Sequence, residues 1–295
     1  MRRIITVKAP AKVNLYLDIT GRRSDGYHLL ETVMQSVSLY DEVTVEYSDK
    51  GSGIITVECD HAEIPSDERN IAHKAARLFL ERSGEKGADI AIKIKKRIPH
   101  GAGMGGGSTD AAAVIAALAN CIKAPQRELY EIAEQVGADV PFCLFGGTAV
   151  CSGIGENLTR TEALKNCAFL VVKPDFSCPT GEAYAKYDRS PIAARGGLSS
   201  FLEELRRGEF GGMYNVFREL YADPRIEHII EELTKGGALG AALSGSGSAV
   251  FGVFTDESAA AACAARFGGL FTAVCRPCEG LLLENISKNA ERTGL

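Results

Sequence analysis

Between positions 99 and 109 the chain reads Pro99-His100-Gly101-Ala102-Gly103-Met104-Gly105-Gly106-Gly107-Ser108-Thr109, with five glycines in seven positions. Such a backbone can turn its N–H groups inward and approach a ligand without side-chain obstruction. The alanine-rich stretch that follows reads as a helix, whose first turn adds unsatisfied N–H donors and the positive end of the helix dipole. That combination suits phosphate. The hydroxyls of Ser108 and Thr109 stand where they can donate to phosphate oxygens or sit near a metal ion. The plainer alternative is a flexible turn with Ser108 as a helix cap, although a cap has no use for so many glycines. Two other phosphate loops fit less well. The P-loop pattern needs lysine where Gly107 stands before Ser108. The dinucleotide pattern matches at Gly101, Gly103 and Gly106. The strand before it, however, alternates isoleucine with lysine or alanine, and no second strand ends in an acidic residue about 20 positions on.

A loop that holds phosphate directs attention to carboxylates and ammonium groups that could act on it. Asp139 lies among small and apolar neighbours in Gly137-Ala138-Asp139-Val140-Pro141-Phe142. It can cap a helix starting at Val140-Pro141, with proline at an early helical position, or it can orient an alcohol and take its proton. The residues alone leave both open. Lys12 and Asn14 are two apart and so share one face of a strand. A strand lysine is ordinarily a solvated one.

The elements that must position these groups are legible in outline. From Ala11 to Ile19 apolar and polar residues alternate, the pattern of a half-buried strand. Further strands are expected at Asp41–Tyr47, Ile54–Cys59, Ala88–Ile98, Thr148–Ser152, Ala168–Lys173, Ala249–Phe254, Leu270–Cys275 and Leu281–Asn285. Helices are expected at Asp67–Ser83, closed by Gly84, at Ser108–Cys121, Pro125–Val136, Leu198–Arg207, Arg225–Lys235 and Ser258–Phe267. The segment from Gly137 to Phe142 reads as a turn. Helices and strands mix without a regular βαβ beat, and the alternating strands suggest one-sided antiparallel sheets. The expectation is an α+β protein of two lobes, residues 1–160 and 161–295, with a soft boundary around Gly155–Asn166.

Composition narrows the classes. With 295 residues the chain is longer than one average domain. Its 33 Lys and Arg against 38 Asp and Glu give a net charge of −5, which argues against a chain-wide surface for nucleic acid. No stretch approaches the roughly 18 apolar residues of a membrane span, and no secretory leader is apparent. The nine cysteines are an odd number without paired metal-site spacing, so buried thiols in a reducing cytoplasm are expected. Oligomeric state is not readable.

Four segments, in order along the chain, resemble the GHMP kinase superfamily. They are Pro10-Ala11-Lys12-Val13-Asn14-Leu15, the glycine loop itself, the segment around Asp139, and Leu243-Ser244-Gly245-Ser246-Gly247-Ser248. Met104 and Thr109 stand where leucine and a second serine are usual. Lys12 to Leu15 followed by Asp25-Gly26-Tyr27-His28 resembles the branch whose substrate carries a diphosphocytidyl group. The resemblance implies a two-lobe fold with the active site in the cleft between the lobes, ATP as phosphoryl donor, and Mg²⁺ carried with ATP rather than in a dedicated cage. It makes Asp139 the catalytic carboxylate, Lys12 its partner, and Asn14 a contact of substrate or of that pair. It places residues 99–109 on the triphosphate, with Asn70 and Lys96 near the adenine. Tyr27 and Tyr184 would sandwich the cytosine, His28 would hydrogen-bond it, and Thr180 would contact a substrate hydroxyl or phosphate.

Overall fold

Two 21-residue strands, β1 (Arg2–Arg22) and β2 (His28–Ser48), pair antiparallel along almost their whole length. The computed structural model describes residues 2–85 and 87–289. The β1–β2 register shifts at Pro10/Ala11 and again between Asn14 and Tyr16. Proline cannot donate to a ladder, and such irregularities re-aim the side chains around them. Lys12 and Asn14 lie between the two shifts.

The first lobe continues through β3 (Ile55–Cys59), α1 (Ile71–Ser83), β4 (Asp89–Lys95), α2 (Gly106–Cys121), α3 (Gln126–Val136), α4 (Val140–Phe145), β5 (Thr148–Gly153) and β6 (Asn157–Arg160). The second holds β7 (Ala168–Lys173), α5 (Thr180–Arg189), α6 (Leu198–Arg206), β8 (Tyr214–Asn215), α7 (Val216–Tyr221) and α8 (Pro224–Lys235). After these come β9 (Gly240–Leu243), β10 (Val250–Phe254), α9 (Glu257–Ala264), β11 (Phe271–Cys275) and β12 (Leu282–Asn289). One sheet runs β12-β1-β2-β4-β3, with β5 and β6 extending from β2 and β8 joining β1. The other runs β11-β7-β10-β9 and is antiparallel throughout. The parallel pair β3–β4 departs from the expected antiparallel sheets, because α1 makes the crossover that such a pair requires.

The polar face of β1 is not solvated, as a half-buried strand would have it. Lys12 is 4% exposed, Asn14 1% and Asp18 0%. The second lobe covers that face: Asp18 accepts from the backbone N–H groups of Arg195 and Gly196, and the Tyr16 hydroxyl accepts from that of Gly197. Two apolar cores meet in this strand. Ile5, Val7 and Ala9 pack with α1, α2 and α3, whereas Val13, Leu15 and Leu17 pack with the second sheet. At its other end the chain returns, and β12 pairs with Arg2–Lys8. A cut at 160/161 therefore does not separate the cores cleanly, and residues 290–295 of the second segment lie outside the described residues.

Most elements stand within a few residues of expectation. The segment expected as a turn before Phe142 is instead the start of α4, the elements α5, α7, β6, β8 and β9 stand where none was expected, and β1 and β2 run well beyond the expected Ala11–Ile19 and Asp41–Tyr47. Asn70 caps α1 by accepting from Ala72 N, and Gly84 closes it in the left-handed region. Among the described residues no helix is long and apolar enough to cross a membrane, and all nine cysteines are free thiols.

Candidate active site

A cavity of about 520 Å³ opens where the glycine loop, β1 and the turn between β9 and β10 meet. Its wall includes Lys12, Asn14, Asp139, Thr180 and Tyr184 as well as residues 99–108. Gly101, Gly103 and Gly105 take φ of 62°, 72° and 70°. A Cβ on Gly103 would stand 2.1 Å from the Ser244 carbonyl oxygen, and one on Gly105 2.9 Å from Lys12 Cγ. These two glycines are therefore demanded by the protein's own packing, beyond any ligand.

The loop's carbonyls are taken up by the protein. Ala102 O accepts from Ala249 N (3.1 Å), Gly103 O from Ser244 Oγ (2.9 Å) and Met104 O from Lys12 N (2.9 Å). Its amides are not: the N–H groups of Gly101 to Ser108 donate to no other group among the described residues. Helix α2 starts after Gly105 with no side-chain cap, so Ser108 is in the first turn and not the cap. Open amides at a helix start form the anion seat that the glycine pattern suggests. Pro99 and His100 also line the cavity, the first half-buried and the second exposed. Thr109 departs from expectation. It is 0% exposed and turned into the core, so its hydroxyl does not reach the cavity.

Asp139 occupies the N-cap position of α4, yet its side chain makes no capping hydrogen bond. Its carboxylate lies 3.4 Å from Lys12 Nζ, with the Asp139 side chain 33% exposed and that of Lys12 buried. The carboxylate is therefore paired with an ammonium and does not cap the helix. Lys12 Nζ also donates to Asn14 Oδ1 at 2.7 Å, so Asn14 contacts the pair.

Lys96 and Asn70 line the same cavity, but their polar atoms have protein partners. Asn70 donates to Pro65 O while capping α1. Lys96 Nζ bridges two carboxylates, Asp41 and Asp110 (2.7 Å to the latter), all three buried. Asp41 also accepts from the N–H groups of Arg97 (2.6 Å) and Ile98 (2.9 Å). Sequence reading missed Asp41 and Asp110. The one available signal is that Asp110 falls four residues after Gly106, on the face of α2 that meets Lys96.

Burial is the largest influence on Asp110 and pushes it up to about 8, with Asp41 adding and Lys96 opposing. One proton on two carboxylates leaves the triad neutral, which a buried cluster favours. Asp110 binds its proton more tightly folded than unfolded. Stability from this group is therefore full below the ordinary carboxylate range and lost as pH rises from about 4 to about 8. Urea unfolding at pH 5.5 and 8 is expected to show the unaltered protein losing stability across that interval, and Asp110→Asn losing less of it.

The residues expected around cytosine lie at a depression of about 510 Å³ beside the main cavity, which shares Leu30, Ala138, Ile154 and Tyr184 with it. Tyr27 is 59% exposed. His28 Nε2 lies 2.8 Å from Asp188 Oδ1. The His28 ring stacks on Tyr184, with centroids 4.8 Å apart and planes at 21°. His28 thus covers one face of Tyr184, and Tyr27 lines the same depression. Thr180 Oγ1 lies 3.1 Å from Ser246 Oγ and joins the start of α5 to the glycine turn after β9. Among the described residues no three His, Cys, Asp or Glu side chains are grouped to hold a metal ion. Ser108 brings a hydroxyl to the cavity wall in the first turn of α2.

Residues 70–147 match the GHMP kinases N terminal domain, and residues 198–271 match the GHMP kinases C terminal. The chain is 40% identical over 267 residues to the 4-diphosphocytidyl-2-C-methyl-D-erythritol kinase of Clostridium botulinum (strain Eklund 17B / Type B), covering 88% of this chain and 94% of that one. It is 41% identical to the protein of the same name from Acetivibrio thermocellus, over 87% of this chain and 92% of that one. A crystal structure of 4-(cytidine 5'-diphospho)-2C-methyl-D-erythritol kinase superposes with a TM-score of 0.75 at 34% identity, covering 93% of this chain and 99% of that one. Homoserine kinase from Cytophaga hutchinsonii shares the fold with a TM-score of 0.75 at 20% identity, over 95% and 97% of the two chains. The chain belongs to the GHMP kinases and, among them, to the family of the 4-diphosphocytidyl-2-C-methyl-D-erythritol kinases.

Proposed function

We propose that the protein transfers the terminal phosphoryl group of ATP to the 2-hydroxyl of 4-diphosphocytidyl-2-C-methyl-D-erythritol, a step in the non-mevalonate supply of isoprenoid precursors. The carrying observation is the Lys12–Asp139 pair on the wall of the cavity that also exposes the unengaged amides of residues 101–108. Phosphoryl transfer asks mainly for positioning and charge stabilisation. The amides hold the phosphates, Asp139 orients the acceptor hydroxyl and takes its proton, and the Lys12 ammonium steadies the carboxylate and the charge developing beside it. Mg²⁺, arriving with ATP, supplies neutralisation of phosphate charge. Asn70 and the backbone at Lys96 border the adenine end, and Thr180 borders the acceptor. Tyr27, His28 and Tyr184 form the site for the cytosine ring, where base stacking on an aromatic is worth about 1–3 kcal/mol. Nine free thiols accord with a reducing cytoplasm.

A coupled assay of ADP release tests this reading. Turnover is expected with the cytidylated substrate and not with mevalonate or homoserine; equal rates with all three would refute it. In the same assay His28→Ala is expected to raise KM for the cytidylated substrate about 10- to 100-fold and leave KM for ATP unchanged. An unchanged preference for the cytidylated polyol over the bare one would remove His28 from the cytosine site.

A further inference from the structure

The Lys12 ammonium is aimed by a chain of hydrogen bonds that starts outside the cavity. Thr32, on β2, is 0% exposed and is not among the residues of the cavity wall, so it touches no substrate. Its hydroxyl donates its single hydrogen to Tyr16 O at 2.6 Å. Toward Asn14 it can then only accept, which it does from Nδ2 at 2.9 Å. This settles which way the Asn14 amide faces. With Nδ2 on Thr32, Oδ1 points the other way and accepts from two donors, Lys12 Nζ at 2.7 Å and Gly245 N at 2.9 Å. The opposite amide orientation would set NH₂ against an ammonium and a backbone N–H, two donor–donor clashes in a dry site where unpaired donors are costly.

We propose that Thr32 is a positioning residue for phosphoryl transfer: by locking the Asn14 amide it holds Lys12 against Asp139 and ties that pair to the Gly245 turn of the second lobe. The inference rests on the proposed kinase function. Its physical content is that a hydroxyl which never meets substrate sets where the lysine charge stands. The lysine side chain is long and flexible, and within this chain Asn14 Oδ1 is what stops its ammonium from leaving the carboxylate. Gly245 shares that oxygen, so the turn after β9 and the catalytic pair move together.

The test is Thr32→Val, which keeps shape and removes the hydroxyl. The expected result is a fall in kcat of about 10- to 100-fold, with KM for ATP and for the cytidylated acceptor within about twofold of the unaltered protein. Thr32→Ser, which restores donor and acceptor, is expected to recover kcat to within about threefold. A role in stability alone would lower the melting temperature while folded protein kept its kcat. Should the valine variant not fold, Thr32→Ala is read by the same criteria. The proposal is overturned if the hydroxyl-free variant turns over normally, if Thr32→Ser is as impaired as Thr32→Val, or if the loss lies in KM for ATP. If the unaltered protein shows no ATP-dependent transfer to the cytidylated acceptor, the functional reading falls and takes this inference with it. Normal transfer in Thr32→Val sinks the inference alone.

Discussion

Asp139→Asn is expected to lower kcat about 1,000-fold and to leave the Kd for ATP within about threefold of the unaltered value. The substitution keeps size and planarity and removes the group that can receive the acceptor's proton. The side chain is not needed to start α4, because it makes no capping hydrogen bond there. Its partner Lys12 retains Asn14 Oδ1, so the ammonium is not left bare. What disappears is a negative charge 3.4 Å from Lys12 on the cavity wall, where the proposed function puts the acceptor alcohol. The nucleotide seat, built from amides of residues 101–108, is untouched. Steady-state rates together with a binding titration using a non-hydrolysable ATP analogue separate the two effects. A kcat within threefold of normal would exclude Asp139 from the chemistry, and an equal loss of nucleotide binding would place it in the wrong role.

Gly103→Ala is the other change with a large expected consequence, and it acts through packing. At φ 72° an alanine sits in the left-handed region, which costs about 1–2 kcal/mol. The added Cβ would also stand 2.1 Å from the Ser244 carbonyl oxygen and 3.0 Å from Gly247 N. Both neighbours are backbone, so neither yields by a rotamer change. The loop and the turn after β9 must part, breaking the Ser244 Oγ bond to Gly103 O and straining the Gly245 bond to Asn14. The expected result is a loss of about 3 kcal/mol of stability, about 5–10 °C in melting temperature, and a KM for ATP raised at least about tenfold. Calorimetry and ATP saturation curves measure these directly. An alanine variant that melts and binds ATP as the unaltered protein does would show that the contact between the two glycine segments is not rigid. Gly84→Ala provides the control, since its Cβ meets nothing within 4 Å and only the backbone cost applies.

Each expectation from sequence depended on whether the deciding contact was local. The amide-rich loop and the helix behind it were legible because five glycines next to an alanine-rich run admit few backbone conformations. Helix α1 was legible because its apolar stripe and its terminal Gly84 lie within one segment. The role of Asp139 was not. A helix cap and a catalytic carboxylate look alike in six residues, and Lys12, whose ammonium stands beside this carboxylate, comes 127 positions earlier in the chain. Thr109 misled for the related reason that a hydroxyl beside Ser108 looks equally available until helix phase turns it into the core. The partners of Lys96 were not legible because Asp41 and Asp110, which hold its ammonium, belong to other elements.

Local order along the chain was therefore enough for the chemistry on offer: an anion seat of open amides, a carboxylate, a lysine, and a mixture of helices and alternating strands. Tertiary structure alone decided how those pieces are used. It wrapped the polar face of β1 under the second lobe, brought residues 12, 139 and 245 together, and stacked His28 on Tyr184. Backbone conformation follows from neighbours a few residues apart. The orientation of a buried amide or ammonium follows from which donors and acceptors the fold leaves for it, and these come from distant parts of the sequence.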